Sequence, residues 1–340
     1  MSGGTFTQRG TESGNAVLLN GSTLDDDLGA GAGLFSFTGG GTLTGSGSNP
    51  GVPAGQVVTV SATDVVLALG VSLTNAGTLT LGDSNSGYSV LQGPGDLVNH
   101  GQLNTIGGEG GSSYLRVNIS NTAAATIDIA TATNQDTGTT ITNDGTVTIE
   151  ATGNLALSGG SSFANNAAVT NSGAFSVSNG TFTQRGSVSG NAVLFIESTL
   201  DDDLGAGAGL FNLADGCTLT GSGSHPGVAA GQVVTVSGAN IAFALGTNLT
   251  NTGTITLQDD INGGYIVLQG PGDLTNSGQL NTVAGHGGSS YLRANIGNAA
   301  GSIDIGATTY QDLGTLTTNN GTVRIEAGGS LGLSGGSSFV

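Results

Sequence analysis

Two groups of three consecutive carboxylates carry the densest charge in the sequence: Asp25, Asp26 and Asp27, and later Asp201, Asp202 and Asp203. Ca²⁺ takes about six to eight oxygen ligands, and neighbouring carboxylates before a glycine-rich turn are one way to supply several of them. The alternative, which we favour, is a solvated acidic turn that discourages sideways association. The nonapeptide Ca²⁺ motif of β-rolls does not occur. No cofactor is therefore expected, with Ca²⁺ as the one candidate.

A tyrosine and an arginine two residues apart form a second candidate. Tyr114 and Arg116 lie in the segment SSYLR, which returns with Tyr291 and Arg293. Residues two apart on a strand share one face. These four side chains could therefore contact a glycan, although a structural surface pair is the interpretation that we favour.

The remaining residues do not form a recognisable catalytic motif. Glycoside hydrolysis needs two carboxylates at a fixed separation, and a P-loop needs a helix and a lysine. The chain contains no lysine, and none of His100, His225 and His286 recurs at the equivalent position of the duplicated sequence described below. We therefore expect a protein without enzymatic activity.

A short asparagine-containing unit recurs along the chain and predicts the elements that position these residues. Its clearest form is LTNAGTLTL from Leu73 to Leu81. A spacing of about 22 residues between units rich in β-formers is the signature of a solenoid. Stacked asparagines at one bend can hydrogen-bond through their amides in a ladder. The predicted ladder comprises Asn75, Asn99, Asn121, Asn143, Asn171, Asn251, Asn276, Asn298 and Asn319.

Alternation within the unit predicts a strand with one buried face, because Leu79 and Leu81 flank the polar Thr80. In the units that contain an asparagine-glycine step, the glycine is expected to adopt a positive φ at the bend. The equivalent inward pairs are predicted to be Leu103/Thr105, Ile127/Ile129, Val147/Ile149 and Phe175/Val177.

A longer duplication overlies the short repeat. STLDDDLGAGAGLF at Ser22–Phe35 returns letter for letter at Ser198–Phe211. We predict one long repeat over residues 1–163, a joining coil over 164–179 and a second long repeat over 180–340, continuous with the first. The predicted fold is all-β, a single elongated parallel β-helix (β-solenoid) with about 22 residues per coil.

The charge of the chain argues against two classes of binding partner. The net charge is −18, with five arginines against 23 carboxylates, which opposes binding to nucleic acid and to anionic membranes. Cys217 is the one cysteine and is predicted to be a buried filler. No signal peptide is visible at Met1, and Gly4 already lies in mid-repeat, so we expect a piece of a longer exported protein.

The L-x-N-x-G-x-L units, together with GTLTGSGS at Gly41–Ser48, resemble filamentous-haemagglutinin-like proteins and autotransporter passengers of bacteria. This resemblance implies a right-handed parallel β-helix that is secreted and works at the cell surface.

The expected function is a stiff extracellular rod with a structural or adhesive role. It would stack end to end into filaments with copies of itself or flanking repeats, and would contact surface glycans or receptors of neighbouring cells. A carbohydrate-binding or carbohydrate-active β-helix is the alternative. Ice binding is a minor alternative, because outward threonines such as Thr78 and Thr80 recur, but other residues interrupt their columns.

Overall fold

The computed structural model describes residues 1–82, 86–107, 110–259, 264–285 and 287–340. These residues form short strands and turns without a helix, wound as a parallel β-solenoid of about 22 residues per turn. The predicted fold class is thereby confirmed, while its right-handed winding stays a prediction. The chain divides into two compact units, Met1–Phe175 (unit 1) and Ser176–Val340 (unit 2).

Most turns pass through three short strands. In unit 1 one such turn contains Leu73–Asn75, Thr78–Gly82 and Tyr88–Gln92. Each strand pairs in parallel with its equivalent on the next turn, which generates three parallel sheets. We call them the asparagine, threonine and tyrosine sheets.

The strands of unit 1 are grouped here by sheet. The asparagine sheet contains Gly51–Val52, Leu73–Asn75, Leu97–Asn99, Ile119–Asn121, Thr140–Asn143 and Ser162–Asn165. The threonine sheet contains Val17–Leu19, Leu34–Phe37, Val57–Ser61, Thr78–Gly82, Gln102–Ile106, Thr126–Ile129, Thr146–Ile149 and Ala168–Asn171. The tyrosine sheet contains Thr5–Thr7, Ser22–Asp25, Gly41–Thr44, Val65–Leu69, Tyr88–Gln92, Ser112–Arg116, Ala132–Gln135 and Asn154–Leu157.

Unit 2 contains the same three kinds of sheet. Its asparagine sheet contains Gly227–Val228, Leu249–Asn251, Leu274–Asn276, Ile296–Asn298, Leu316–Asn319 and Ser338–Phe339. Its threonine sheet contains Val193–Ile196, Gly209–Ala214, Gln232–Gly238, Thr254–Asp259, Gln279–Val283, Ser302–Ile305 and Thr322–Ile325. Its tyrosine sheet contains Thr181–Gln184, Thr199–Asp202, Thr218–Thr220, Ile241–Leu245, Tyr265–Gln269, Ser289–Arg293, Thr308–Gln311 and Ser330–Leu333. Ala174–Ser178 spans the boundary between the units, and Ser187–Gly190 is a further strand of unit 2.

Apolar side chains from successive turns pile into a continuous column inside unit 1. Leu79 pairs in register with Leu103, and the column continues through Ile127 and Val147. All four side chains are at most 2% exposed. Stacking of this kind removes each apolar side chain from water without requiring a globular core.

The prediction that Phe175 continues this column after Val147 was wrong. Val147 pairs with Val169, whereas Phe175 and Val177 lie on Ala174–Ser178, the strand that follows. VTNSGAFSV matches the repeat locally but lies one strand further along the turn. The face that a segment occupies is set by the number of residues per turn, and local motif similarity does not reveal it.

The glycines in the asparagine bends do not adopt the positive φ that the sequence predicts. The φ values of Gly77, Gly101 and Gly145 lie outside the left-handed region. A Cβ atom at these positions would instead lie 2.1–2.4 Å from a backbone carbonyl oxygen of the preceding turn. These three bends therefore need glycine because the chain approaches the preceding turn too closely there for a side chain.

Candidate functional site

A ladder of buried asparagine amides follows the bend of unit 1. The Nδ2 group of Asn75 donates to Oδ1 of Asn99 at 2.8 Å, and the same bond links Asn99 to Asn121 at 2.8 Å. It continues from Asn121 to Asn143 at 2.8 Å and from Asn143 to Asn165 at 3.0 Å. All five side chains are fully buried, so these bonds replace contacts with water that the amides lose on folding.

Each amide also holds the backbone of the following turn. The Nδ2 group of Asn75 donates to the Gln102 carbonyl at 2.8 Å, and that of Asn99 donates to the Thr126 carbonyl at 2.9 Å. These carbonyls belong to the first residues of threonine strands. Each of these asparagine side chains therefore holds the next asparagine of the ladder and also the first residue of the threonine strand that follows the next bend.

The composition of the ladder differs from the sequence prediction at one step. Asn171 pairs with Ile149 in the threonine sheet, and Asn165 occupies the position beside Asn143. The segment around Asn165 reads FANNAAV and lacks the glycine that lies two residues after Asn75, Asn99 and Asn143. Its distance of 22 residues from Asn143 was the signal that could have identified it.

Unit 2 contains an equivalent ladder. Asn251 donates to Asn276 at 2.8 Å, Asn276 to Asn298 at 2.8 Å, and Asn298 to Asn319 at 2.7 Å. Among the described residues, the Oδ1 atoms of Asn75 and Asn251 have no hydrogen-bond partner. Both ladders begin there because the preceding turn places a valine in register, Val52 in unit 1 and Val228 in unit 2.

The carboxylates of the first acidic triplet point to different partners. Asp25 accepts hydrogen bonds from the Ser46 backbone N–H at 2.7 Å and from Nη2 of Arg9 at 3.1 Å. Asp27 accepts from the backbone N–H groups of Gly29 and Asn49, each at 3.1 Å. These two carboxylates fasten the loop after Thr44 to the preceding turn.

Asp26 is fully buried and lies between the two fastening carboxylates. It accepts hydrogen bonds from the Gln56 side-chain amide and from the Asp27 backbone N–H. Burial raises the pKa of Asp26 to about 6, although these hydrogen bonds favour the charged form. Burial also opposes ionisation of Asp25, but the hydrogen bonds from Ser46 and Arg9 outweigh it and lower the pKa of Asp25.

The second triplet repeats this arrangement in unit 2. Asp201 accepts from Ser222 and Arg185, and Asp203 accepts from the backbone N–H groups of Gly205 and His225. Asp202 accepts from the Gln232 side-chain amide at 3.1 Å, and burial raises its pKa to about 7.

Neither triplet converges on a point where a cation could lie between the three carboxylates. Their oxygens face amide, hydroxyl and guanidinium donors in different directions. Across the described residues, no group of three or more His, Cys, Asp or Glu side chains is arranged to hold a metal ion. The described contacts of the triplets are those of structural fasteners, and Ca²⁺ binding there stays a prediction.

A strip of aromatic and charged side chains follows the outer face of the tyrosine sheet in unit 1. The Tyr88 and Tyr114 rings meet edge to face, with centroids 6.3 Å apart, and the Arg116 guanidinium lies 4.7 Å from the Tyr114 ring centroid. Arg116 also forms a bidentate pair with Asp136, at 2.8 and 2.9 Å. This hydrogen bonding raises the pKa of Arg116 above its ordinary value. These four residues form tyrosine strip 1.

Tyrosine strip 1 encloses a shallow depression of ≈ 230 Å³ that also contacts Val66 and Val90. Tyr88 is 42% exposed, whereas the outward-facing Val90 is only 2% exposed. The depression therefore combines apolar valine side chains with tyrosine hydroxyl and arginine N–H groups that can donate hydrogen bonds.

Tyrosine strip 2 of unit 2 has the same arrangement with one ring more. Tyr265 and Tyr291 meet edge to face at 6.0 Å, and Tyr310 stacks on Tyr291 at 5.3 Å with an interplanar angle of 27°. Arg293 lies 4.7 Å from the Tyr291 ring centroid and pairs with Asp312 at 2.8 and 2.9 Å. The predicted glycan-contact residues therefore lie together on one face in each unit, with partners that the SSYLR motif did not reveal.

Outward columns of the threonine sheet are irregular. One column of unit 1 reads Thr78, Gln102, Thr126, Thr146 and Ala168. The neighbouring column reads Thr80, Asn104, Asp128, Thr148 and Thr170. Ala174 and Ser176, which flank the Phe175 that the sequence pattern predicted for this sheet, lie on the following strand. The surface is therefore not a regular array of threonine pairs.

The remaining candidate residues have local partners. The Nδ1 atom of His100 lies 2.8 Å from Oγ1 of Thr122, and that of His225 lies 2.9 Å from Oγ of Ser224. His286 lies outside the described residues. The Cys217 thiol is 2% exposed and donates to the Ala214 carbonyl at 2.7 Å, and burial raises its pKa.

The sequence matches no protein-family model and no curated protein. Within the described part of the chain, no helix is long and apolar enough to cross a membrane. What is established is that the chain is a tandem-repeat protein with a parallel β-solenoid fold.

Proposed function

We propose that this chain is a non-enzymatic structural or adhesive repeat segment that forms a stiff scaffold outside the cell. The observation that carries the proposal is the buried amide ladder, which occurs in both units with bonds of 2.7–3.0 Å. Its asparagines hold successive turns in register, and the ladder residues from Asn75 to Asn165 and from Asn251 to Asn298 are fully buried. A scaffold needs such uniform internal bonding, because each turn contacts only its neighbours.

Duplication supports the same proposal. The acidic fasteners and the amide ladders occur in both units, whereas catalysis would need only one site. Repetition provides length and several equivalent surfaces, which suit mechanical spacing and multivalent attachment. Stacking with flanking repeats or other copies into a filament is part of this proposal.

The extracellular location is supported by resemblance and by charge. The asparagine units resemble those of filamentous-haemagglutinin-like proteins and autotransporter passengers, which are exported by bacteria to the cell surface. A net charge of −18 keeps such a surface soluble and self-repelling. Receptors on neighbouring cells and surface glycans are the proposed external partners.

Carbohydrate binding is a second candidate, and the tyrosine strips favour it. Tyr88, Tyr265 and Tyr310 are 38–45% exposed, although tyrosine rings gain from burial of their apolar faces. Each strip places these rings beside a guanidinium and a carboxylate, which can hydrogen-bond to hydroxyl groups. This arrangement suits a polyhydroxylated ligand with apolar C–H faces.

Two measurements test the scaffold proposal. In a reducing-end assay with neutral and acidic polysaccharides, the purified protein should release no more ends than heat-denatured protein. Immunogold labelling of intact cells that produce the protein should place gold on the outer surface. Turnover of any polysaccharide would overturn the non-enzymatic assignment, and labelling found only after permeabilisation would overturn the extracellular one.

A further inference from the structure

The tyrosine strips carry almost no uncompensated positive charge. In strip 2, Nε and Nη2 of Arg293 are both directed to the Asp312 carboxylate, at 2.8 and 2.9 Å. A bidentate pair of this kind holds the planar guanidinium in one orientation and neutralises its charge locally. The chain as a whole carries a net charge of −18, which repels polyanions at a distance.

The role of Arg293 follows from its two contacts. Its guanidinium lies 4.7 Å from the Tyr291 ring centroid, and its carboxylate partner is only 16% exposed. Arg293 is therefore a positioning residue that fixes the Tyr291 ring. A free anion could form a bidentate contact with Nε and Nη2 of Arg293 only by displacing Asp312.

The two strips differ in their number of aromatic rings. The residue on the neighbouring turn decides whether the additional ring fits. Tyr310 is 38% exposed and stacks on Tyr291. A Cβ atom on Gly332 would lie 3.0 Å from the Tyr310 ring, so glycine leaves room for that ring. Unit 1 has Asn134 and Ala156 at the duplicated positions. Unit 2 therefore presents three adjoining rings where unit 1 presents two.

We infer that tyrosine strip 2 binds an uncharged polysaccharide, with sugar rings lying against the exposed rings of Tyr265 and Tyr310, which Tyr291 holds in place between them. This inference rests on the carbohydrate-binding candidate above and adds the charge class of the ligand and the unit that binds it best. Stacking on aromatic rings excludes water from apolar C–H faces. The tyrosine hydroxyls and the outer N–H groups of Arg293 can hydrogen-bond the sugar hydroxyls. Strip 1, with one ring fewer, binds the same ligand more weakly.

Affinity electrophoresis of the full chain tests the inference. The neutral probes are hydroxyethylcellulose, galactomannan and mixed-linkage β-glucan, and the anionic probes are alginate and polygalacturonate, each at 20 and 500 mM NaCl. At least one neutral probe should retard the protein equally at both salt concentrations. Tyr310→Asn, which introduces the residue of unit 1, should weaken this binding about five-fold, as expected for loss of one aromatic contact.

Matched variants locate the binding surface. Tyr291→Ala should weaken binding more than Tyr310→Asn, because Tyr291 contacts both other rings. Leu210→Ala removes a side chain that is 42% exposed on the threonine sheet of the same unit and should leave binding unchanged. Circular dichroism should show the wild-type spectrum for all three variants.

The possible failures are distinguishable. Binding to anionic probes alone, with loss at 500 mM NaCl, would overturn the neutral ligand class but keep carbohydrate binding. Neutral binding that survives both tyrosine substitutions would overturn the assignment to strip 2. Absence of retardation by every probe would overturn the inference together with the carbohydrate-binding candidate, while the scaffold proposal keeps its own two tests.

Discussion

Protonation of two buried carboxylates should make this protein more stable at mildly acidic pH than at neutral pH. Burial raises the pKa of Asp26 to about 6 and that of Asp202 to about 7, from an ordinary value of 3.8. Between pH 4 and these values the folded state holds protons that the unfolded state has released. The free energy of unfolding therefore falls as pH rises through this range, and it levels off above pH 7.

The magnitude follows from the size of the two shifts. At about 1.4 kcal/mol per pKa unit, ionisation costs about 3 kcal/mol at Asp26 and about 4 kcal/mol at Asp202. With both groups contributing, the free energy of unfolding falls by about 2.4 kcal/mol per pH unit near pH 5.

Three other carboxylates act in the opposite direction at lower pH. Hydrogen bonds to Asp25, Asp201 and Asp203 outweigh their burial and lower the pKa of each below 3.8. Their stabilisation is complete above the unfolded pKa and is lost as pH falls through the folded values. The two effects together place maximum stability near pH 4.

Denaturant unfolding followed by far-UV circular dichroism from pH 4 to 8, at constant ionic strength, measures this dependence. Asp202→Asn is the sharpest variant, because its new amide takes the place of an Oδ2 atom without a hydrogen-bond partner and Oδ1 still accepts from Gln232 and the Asp203 N–H. It should roughly halve the slope near pH 5 and stabilise the protein at pH 8. Asp215→Asn, at an exposed position of the same unit, is the control and should leave the slope unchanged. Wild-type stability that is constant or rises between pH 5 and 7 would refute the reasoning, as would an unaltered slope in Asp202→Asn.

Three further predictions concern the wall of the solenoid, and all are measured by denaturant unfolding at fixed pH. Asn121→Ala breaks the amide ladder at its middle and should cost about 2–4 kcal/mol, because buried donors and acceptors on both sides lose their partner; Asn166→Ala, at an exposed asparagine, should change stability by less than about 0.5 kcal/mol. An equal effect of the two substitutions would contradict the role of the ladder. Leu103→Ala should cost about 2–5 kcal/mol by opening the apolar column, whereas Leu18→Ala, at a residue 56% exposed, should cost far less. Gly153→Ala should cost about 1–3 kcal/mol, because its Cβ would lie 2.0 Å from the Ile129 carbonyl oxygen; a wild-type midpoint would show that the turns are not so closely spaced.

The parallel solenoid could be predicted from the sequence because its periodicity is repeated many times. Alternation around Leu79, followed by similar patterns at Leu103 and Ile127, was sufficient to place these residues in one buried column. The spacing of asparagines likewise identified most members of the ladder. Both inferences used many copies of one pattern, which makes them robust to variation in any single copy.

Assignments that depend on counting residues within one turn could not be made from local motifs. Asn171 and Asn165 both follow short apolar runs, and only the complete turn shows that Asn165 continues the ladder. The role of Gly77 was also misjudged, because close approach between turns is invisible in a single segment.

Long-range partners account for what the acidic triplets do. Asp25, Asp26 and Asp27 are identical letters, yet their main side-chain partners include Ser46, Gln56 and Asn49 respectively. These partners are separated from the triplet by 21 to 30 residues. Consecutive acidic residues suggest a shared ligand, but the winding of the chain directs each carboxylate to a different place.

The central claim is that a buried amide ladder holds the turns in register, and side-chain hydrogen exchange measures it most directly. Nuclear magnetic resonance can follow exchange of the Nδ2 protons of Asn99 and Asn121 in comparison with those of Asn166, which is exposed. The buried amides should exchange orders of magnitude more slowly than those of Asn166, at a rate limited by opening of the solenoid. Exchange of Asn99 and Asn121 as fast as that of Asn166 would contradict the claim.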